Sequence, residues 1–241
     1  MNLPLYEIWA YLQPTPLVGL TLTLAAYVVA TTLYGRGREH PLLNPVLLAA
    51  LLIASVVSLT PLDYATYFQG AQFVHFLLGP ATIALAVPLV ARGRELRRLA
   101  VPIAGGILAG GVVAAGSAVA IGWALGASGQ TLRSLAPKSI TAPIAMGVAE
   151  RIGGLPSLAA VLVVATGILG AVAGPALLRR LGFTDVRVIG LALGTASHGI
   201  GTARAFQDGP LCGSFAGLAM AVNGAASALL IPLAFSLGAL P

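Results

Sequence analysis

The stretch LPSLAAVLVVATGILGAVAGPALLRR, residues 155–180, decides the fold class. It carries no charge before Arg179 and Arg180, and it exceeds the roughly 20 residues that an α-helix needs to cross a bilayer. A basic pair directly after such an apolar stretch is typical of the cytoplasmic end of a transmembrane helix. The sequence therefore predicts an integral membrane protein.

The composition of the whole chain predicts the same class. Hydrophobic residues make up 58% of the 241 positions and charged residues only 8%, whereas soluble domains carry about 25% charged residues. So few charges cannot cover a water-exposed surface. We predict an all-α, polytopic bundle of transmembrane helices, with re-entrant or broken helices, that forms one integral membrane domain over residues 1–241.

Apolar segments of suitable length recur along the chain. The predicted spans are residues 14–34, 42–60, 73–91, 99–126, 155–178 and 214–238, with a polar connector over residues 61–72. Arginine clusters lie between several of these spans, at residues 36–38, 92–98 and 179–187. The positive-inside rule places these clusters in the cytoplasm, which puts the N-terminus outside and residues 1–126 in four alternating spans. We expect a multi-pass protein of the cell inner (plasma) membrane.

Two segments differ from ordinary spans. Residues 137–152 are short and polar, and residues 196–208 interrupt an apolar run that begins at residue 186. Each segment either crosses the membrane as a broken helix or enters it and returns to the same side. The charge rule favours re-entry for residues 137–152, because the arginines at 179–187 then share the cytoplasmic side with the other basic clusters.

The two unusual segments resemble each other at a shift of 60 residues. Lys138 aligns with His198, and small or hydroxyl residues, an acid (Glu150 or Asp208), a glycine-containing turn and a long apolar span follow in both. We interpret residues 137–181 and 197–240 as inverted repeat units; the alternative is that glycine-rich apolar sequences align by chance. Paired interrupted segments are typical of transporter binding sites.

Five stretches carry a family resemblance. They are DYATYFQG (63–70), FLLGPATIALAVP (76–88), PKSITAPIA (137–145), LALGTASHGIGTAR (191–204) and GLAMAVNG (217–224). Through them the chain resembles the LrgB/CidB family of membrane proteins, from about residue 15 to 236. Ala142 and Gly147 stand where the resemblance leads us to expect more polar or acidic residues, which leaves the substrate open.

The resemblance implies divided functions. Some bacterial members are holin-like or antiholin-like and influence murein hydrolase activity and cell lysis. Others are similar to pyruvate transport components that act with a small LrgA-like partner, and plant members resemble a plastid glycolate/glycerate translocator. We expect an alternating-access secondary transporter of small organic anions such as glycolate, glycerate or pyruvate. The alternatives are a holin/antiholin-like pore or regulator, and an accessory subunit of an LrgA/CidA-like protein.

Polar side chains in the two interrupted segments and the last span are the candidate substrate-binding residues. They are Lys138, Ser139, Thr141, His198, Thr202, Arg204 and Asn223. Lys138 is the only lysine, and a charge at the bilayer centre costs at least ~2.5 kcal/mol, so it usually has a partner or a ligand. Either Lys138 binds a substrate carboxylate, or its ammonium group reaches the membrane interface.

The other candidates also have two interpretations each. Ser139 and Thr141 either assist anion binding at a half-helix N-terminus or only pack between helices. His198 either relays a proton at physiological pH or donates a hydrogen bond to substrate, or it is a satisfied buried histidine. Arg204 binds a carboxylate or pairs with Asp208 four residues later.

The remaining candidates are two acidic residues and one asparagine. Glu150 and Asp208 are candidates for ion coupling. The alternative for Glu150 is a local ion pair with Arg151. Asn223 faces a cavity or bonds a neighbouring helix.

We expect no enzyme, catalytic residue, cofactor or metal site. Ser197 and His198 are adjacent on a predicted helix, where neighbouring side chains do not face each other, so they do not form a nucleophile–base pair. The histidines lack metal-ligand spacing. The sequence has no basic patch interleaved with aromatic residues, so we do not predict nucleic-acid binding. The expected partners are the lipid bilayer, a small carboxylate, an LrgA/CidA-like small membrane protein and a second copy of the chain in a dimer.

Overall fold

The computed structural model describes residues 16–37, 43–77, 90 and 93–238. These residues contain α-helices and no strand, which confirms the all-α fold class. The chain divides into two compact units, residues 1–83 and 84–241. The single membrane domain over residues 1–241 stays a prediction, and each unit is described by itself.

Four of the described helices are long and apolar enough to cross a membrane. They are α1 (Pro16–Arg36), α5 (Ala100–Ala124), α8 (Pro156–Arg180) and α10 (Pro210–Ser236). Their outer faces expose large apolar side chains such as Val112 and Leu169. Contiguous apolar surface of this extent requires lipid as its solvent. The protein is therefore an α-helical membrane protein.

The first unit contains α1, α2 (Pro45–Leu59) and α3 (Tyr64–Phe76). Helices α1 and α3 touch through glycines: a Cβ atom on Gly19 would overlap the carbonyl of Tyr67, and one on Gly70 would overlap the carbonyl of Pro16. The hydroxyls of Thr23 and Tyr67 lie 3.0 Å apart across this contact. Close backbone approach at small residues is the usual mode of helix packing in membranes.

Helix α3 corrects the expected connector over residues 61–72. Asp63 starts this helix as its cap, because its carboxylate accepts hydrogen bonds from the Thr66 amide and hydroxyl, both at 2.8 Å. The first residues of the predicted third span, 73–76, are the end of α3. Most of the remainder of that span lies outside the described residues.

The second unit holds seven of the described helices. In chain order they are α4 (Gly93–Arg98), α5, α6 (Gly129–Leu135), α7 (Ala142–Arg151), α8, α9 (Val186–Gln207) and α10. Helices α5, α8 and α10 agree with the predicted spans 99–126, 155–178 and 214–238. Pro at the first turn favours the starts of α8 and α10, because its missing N–H has no partner there in any case.

The first interrupted segment, predicted over residues 137–152, contains a non-helical break up to residue 141 and α7, and the short helix α6, which was not predicted, precedes it. The Leu155 amide, just after α7, donates a 2.7 Å hydrogen bond to Ser134 Oγ near the end of α6. A Cβ atom on Gly154 would lie only 2.9 Å from the Ser134 amide nitrogen. The two ends of the segment therefore lie side by side, so residues 129–154 form a helical hairpin, called hairpin 1 below.

The second interrupted segment is α9 itself. Ser197 and His198 have non-helical dihedral angles, with φ = +43° at His198. A Cβ atom on Gly201 would lie 2.5 Å from the Leu193 carbonyl oxygen, although eight residues of straight helix span about 12 Å. Helix α9 is therefore a hairpin of two half-helices, α9a (186–196) and α9b (199–207), called hairpin 2 below.

The two hairpins enter the second unit from opposite ends. Ile152, after α7, lines the same cavity as Ser236 at the C-terminal end of α10. Gly190 of α9a instead lies against the carbonyl of Cys212 at the N-terminal end of α10, and Asp208 after α9b lies 3.9 Å from Arg179. Each hairpin is followed by a long apolar helix, so the same succession of elements occurs twice with opposite direction.

Candidate functional site

The tips of the two hairpins meet at Asn223, halfway along α10. Its Nδ2 donates to the carbonyl of Thr195 in hairpin 2 at 3.0 Å and to the carbonyl of Ser139 in hairpin 1 at 3.4 Å. Its Oδ1 accepts from Ser227 Oγ at 3.3 Å. The side chain is only 2% exposed. One buried amide therefore joins both breaks in the backbone to α10.

Two consecutive glycines of α5 make room for this junction. A Cβ atom on Gly111 would overlap Asn223 Oδ1, and one on Gly110 would lie 3.1 Å from Thr195 Cγ2. Side chains larger than hydrogen at these positions would push α5 away from both partners. The glycine pair thus fixes the distance between α5 and the junction.

Lys138 lies at the tip of hairpin 1, next to the junction. Its side chain is partly buried, and Nζ donates to Ser139 Oγ at 3.0 Å. It is close enough to His198 for the two groups to interact electrostatically. Within the described part of the chain, no carboxylate forms an ion pair with this lysine. The junction therefore carries a positive charge without a described counter-ion.

His198 forms the tip of hairpin 2 and is 4% exposed. Its Nε2 lies 2.9 Å from the Val163 carbonyl of α8; because a carbonyl only accepts, Nε2 carries the proton. A Cβ atom on Gly167 would lie 2.7 Å from the imidazole ring, so this glycine makes space for it. The ring thus anchors hairpin 2 to the middle of α8.

Two half-helices begin at the junction. Helix α7 starts after Thr141, which occupies the N-cap position without making a side-chain cap hydrogen bond. Half-helix α9b starts directly after His198. Free N–H groups and the positive end of the helix dipole favour anions at such N-termini. Together with Lys138, these two N-termini make the centre of the unit electropositive.

The structure brings some predicted site residues to the junction and leaves others away from it. Lys138, Ser139, Thr141, His198 and Asn223 lie at or beside the hairpin tips. The Thr202 hydroxyl is buried one turn along α9b, where it donates to the His198 carbonyl at 2.8 Å.

Three further predicted residues lie at the far ends of the hairpins. Arg204 pairs with Asp208 at 3.0 Å, as the i+4 alternative describes, and Asp208 also faces Arg179. Glu150 is exposed in the last turn of α7. Among the described residues, no ion pair joins Glu150 to Arg151. A coupling role for Glu150 or Asp208 would therefore have to act at a distance from the junction.

The site predicted from the sequence lacks Thr195, the Val163 carbonyl and the glycines around the tips. Thr195 resembles any hydroxyl residue in a membrane helix, and a backbone carbonyl has no sequence signal at all. The glycines do leave a signal, because Gly167, Gly170 and Gly174 recur at helical spacing and each faces hairpin 2. Such spacing predicts the face of α8 that a second helix approaches closely.

Two cavities approach the junction from opposite ends. One of about 590 Å³ extends from Asp185 and Arg187 to Gly110 and Thr195. Another of about 450 Å³ extends from Leu237 to Gly111, Asn223 and Ser227. The hydrogen bond between Asn223 and Thr195 lies between them. In the described residues, no group of three His, Cys, Asp or Glu side chains could hold a metal ion.

Related proteins cover most of the chain. It is 37% identical over 201 residues to the uncharacterized protein YxaC of Bacillus subtilis, which covers 83% of this chain and 87% of YxaC. It is 30% identical to the holin-like protein CidB of Staphylococcus epidermidis (92% and 96% covered). It is also 27% identical to the antiholin-like protein LrgB of Bacillus mycoides (91% and 95% covered).

No solved structure shows a significant match to the chain. The names of the relatives agree with the holin-like and antiholin-like alternative rather than with a particular transported substrate. The family model described as LrgB-like matches residues 23–237, and the resemblance seen in the sequence is thereby confirmed: the chain belongs to the LrgB-like family of membrane proteins.

Proposed function

We propose that the protein is a secondary transporter of small organic anions. The observation that carries this proposal is the junction at Asn223, where the tips of two oppositely directed re-entrant hairpins meet beside Lys138. Interrupted helices that meet near the bilayer midplane are the usual construction of substrate sites in secondary transporters. Irregular backbone at that depth is stable only where protein or a water-filled cavity satisfies its polar groups.

The charges at the junction favour an anion. Lys138 is partly buried and has no described carboxylate partner, so a negatively charged ligand would offset the cost of holding its charge there. The N-termini of α7 and α9b add N–H donors and positive dipole ends. A single ammonium group with hydroxyls beside it suits one carboxylate. We therefore favour monocarboxylates such as glycolate, glycerate or pyruvate.

The two cavities support alternating access. Each reaches one side of the Asn223–Thr195 hydrogen bond from a different end of the unit. Small shifts of either hairpin against α5 and α10 would open one approach while closing the other. Such rocking around a fixed central site is how transporters with inverted repeats work.

The distribution of arginines suggests the orientation in the membrane. Arg179, Arg180 and Arg187 lie at the end where hairpin 2 enters, and Leu99, just after α4, lines the same cavity as Arg187. The positive-inside rule makes this end cytoplasmic. Hairpin 1 would then enter from outside. An N-terminus on the outside and the cell inner membrane as the location stay predictions of the arginine distribution in the sequence.

We also propose two protein partners, a small LrgA/CidA-like membrane protein and a second copy of the chain. The holin-like and antiholin-like names of the relatives suggest a working complex with a small LrgA/CidA-like membrane protein. A homodimer is also expected, because the Gly105 and Gly106 face of α5 is open, with nothing near the glycines in the described chain.

A holin-like or antiholin-like role is the second candidate, and the names of the relatives favour it. A holin-like pore would release solutes without regard to their charge. In the described residues the buried polar side chains concentrate at the junction, and the walls of the two approaching cavities are mainly apolar. This arrangement fits a selective site better than a wide aqueous pore.

The test uses purified full-length protein in liposomes that contain unlabelled pyruvate or glycolate and a neutral dye. Uptake of the labelled anion by counterflow and leakage of the dye are followed together. Lys138→Ala removes the charge, Lys138→Arg retains it, and Arg180→Gln removes an exposed arginine far from the junction. We expect saturable counterflow without dye leakage, lost in Lys138→Ala, partly retained in Lys138→Arg and unchanged in Arg180→Gln.

Other outcomes separate the candidates. Dye leakage that accompanies anion release, with no saturation, would favour the holin-like candidate and remove the proposed site. If neither flux occurs with the purified chain, the assay is repeated after co-reconstitution with the LrgA/CidA-like protein. Flux that then appears, but does not respond to Lys138→Ala, would make this chain the accessory subunit.

A further inference from the structure

A cavity of about 630 Å³ lies at the C-terminal end of α10, away from the junction. Two arginines and the last turns of α10 line it. The lining residues are Arg133, Arg151, Ile152, Leu229, Pro232, Leu233, Phe235 and Ser236. Neither arginine has a part in the proposed transport site.

The fold of hairpin 1 brings the two arginines to the same cavity. The Leu155–Ser134 hydrogen bond ties the end of α7 to α6. A Cβ atom on Gly153 would lie 3.6 Å from Arg133 Nη1, so the guanidinium group covers the turn that directly follows Arg151. Two like charges that line one cavity repel each other.

No described ion pair includes either arginine, and the one nearby acid in the sequence, Glu150, is exposed in the last turn of α7. The described ion pairs join Arg179, Arg187 and Arg204 to Asp185 or Asp208. The repulsion would be relieved by an anion between the guanidinium groups. Their planar forks match the oxygens of a phosphate group, to which arginine binds in a bidentate manner.

The other wall of the cavity is apolar and faces outward. Leu229 is 73% exposed and Leu233 is 51% exposed. This wall belongs to the last turns of a membrane-crossing helix, and α8 begins at the same end after hairpin 1. The arginines therefore lie at the depth of the lipid headgroups, with the leucines directed along the hydrocarbon. A small free anion would gain no binding energy from this apolar wall.

We propose that Arg133 and Arg151 bind the phosphate of an anionic phospholipid, whose acyl chain lies along Leu229 and Leu233. The proposed lipid site lies at the end of the unit opposite to the arginine-rich end. A general attraction of anionic lipid to the arginine-rich end therefore does not account for this site. This inference does not depend on the proposed transport function.

The test is native mass spectrometry of the purified full-length chain. The protein is titrated with phosphatidylglycerol, with phosphatidylcholine of the same acyl chains, and with inorganic phosphate. The variants are Arg151→Gln, the double variant Arg133→Gln/Arg151→Gln, and a charge-matched control, Arg98→Gln/Arg180→Gln, at the other end. Arg151 is exposed, so Arg151→Gln carries the test even if the double variant does not fold.

We expect the wild type to retain one phosphatidylglycerol in preference to phosphatidylcholine. Loss of a charge-assisted hydrogen bond weakens binding about tenfold or more, so Arg151→Gln should bind about tenfold more weakly, with the control unchanged. Equal weakening in the control, or no preference between the lipids, would overturn the proposal. Displacement of the lipid by millimolar inorganic phosphate, with no effect of the acyl chain, would assign the site to a free anion instead and overturn it as well.

Discussion

Asn223 is the residue on which both hairpins depend. Its amide donates to the carbonyls of Ser139 and Thr195, and its oxygen accepts from Ser227. Buried carbonyls that lose their donor cost free energy, because no water replaces it. A change at this one side chain is therefore felt in two segments more than 50 residues apart in the sequence.

We predict that Asn223→Ala lowers the free energy of unfolding by about 1–3 kcal/mol, since it leaves two buried carbonyls without a partner. Ser227→Ala is the matched control, because it removes only the 3.3 Å bond to Asn223 Oδ1. Thermal unfolding in detergent measures both. Equal losses in the two variants would contradict the idea that the carbonyl bonds dominate.

His198 combines a specific hydrogen bond with an unfavourable backbone conformation. At φ = +43° and ψ = −133° it occupies a region that glycine adopts freely and that costs other residues on the order of 1–3 kcal/mol. Among the described non-glycine residues it is the only one with positive φ. A residue kept in such a conformation is expected at a position where its side chain is needed.

We therefore predict that His198→Gly is more stable than His198→Ala by about 1 kcal/mol, because both lose the bond to Val163 but only alanine retains the backbone cost. In an ordinary helix the order is the reverse, also by about 1 kcal/mol. Melting temperatures of the two variants decide it. If alanine proves the more stable, the tip of hairpin 2 is ordinary helix.

At the scale of elements, the start of α9 depends on Asp185. Its carboxylate accepts hydrogen bonds from the Arg187 side chain, the shortest at 2.6 Å, and one from the Arg187 amide at 2.9 Å. These two interactions, the side-chain bond first, hold the pKa of Asp185 below its ordinary value. A carboxyl whose pKa is lower in the folded protein stabilises the fold only while it is ionised.

The stabilisation from Asp185 should be fully present above about pH 4, the pKa of an unfolded aspartate, and should be lost as pH falls through the lower folded pKa. Asp185→Asn keeps a capping oxygen but loses the charge, so its melting temperature should lie below that of the wild type at pH 7. The two should converge towards pH 3. A difference that stays constant over this pH range would show that the charge is not responsible.

How far the elements could be predicted differs between spans and hairpins. Hydropathy predicts α5, α8 and α10 closely, because lipid imposes one requirement on every residue of a crossing helix. Helices α3 and α6 were missed because they are short and mixed in character. Their caps were nevertheless present in the sequence: Asp63 for α3, and Ser128, which accepts from the Thr131 amide, for α6.

The site could be predicted only in part. Lys138 and His198 stand out as polar residues in apolar surroundings, and the interpretation of the two segments as paired repeats led us to consider them together. The partners of Asn223 are backbone carbonyls, whose positions depend on where each chain turns back. No residue type encodes this, so Thr195 and Val163 become recognisable only in the folded hairpins.

At the scale of the whole molecule, the direction of each hairpin determines which residues face which side of the membrane. Residues before and after hairpin 2 should lie on one side, because Asp208 returns to Arg179. The end of hairpin 1 should lie on the other. A continuous α9 that crossed the membrane would instead separate its two ends.

We predict that cysteines introduced at Phe183 and Gln207 react with a membrane-impermeant maleimide from the same side, and that one at Glu150 reacts from the opposite side. All three positions are exposed. The background is Cys212→Ala, which removes the single, buried cysteine. Labelling is compared in right-side-out and inverted vesicles. Reaction of positions 183 and 207 from different sides would show that α9 crosses.

The two hydrogen bonds of Asn223 are unequal, 3.0 Å to Thr195 and 3.4 Å to Ser139. An amide on one rigid helix can follow only one of two partners once they separate by about an ångström, because hydrogen bonds weaken steeply beyond ~3.5 Å. Intermediate positions therefore lose a bond without gaining another, and motion at this point is all-or-none rather than gradual. The longer bond is the weaker of the two, so we expect the contact between hairpin 1 and α10 to open more readily than the contact with hairpin 2. The two hairpins would then differ in how readily they separate from α10, although the same succession of elements occurs in both.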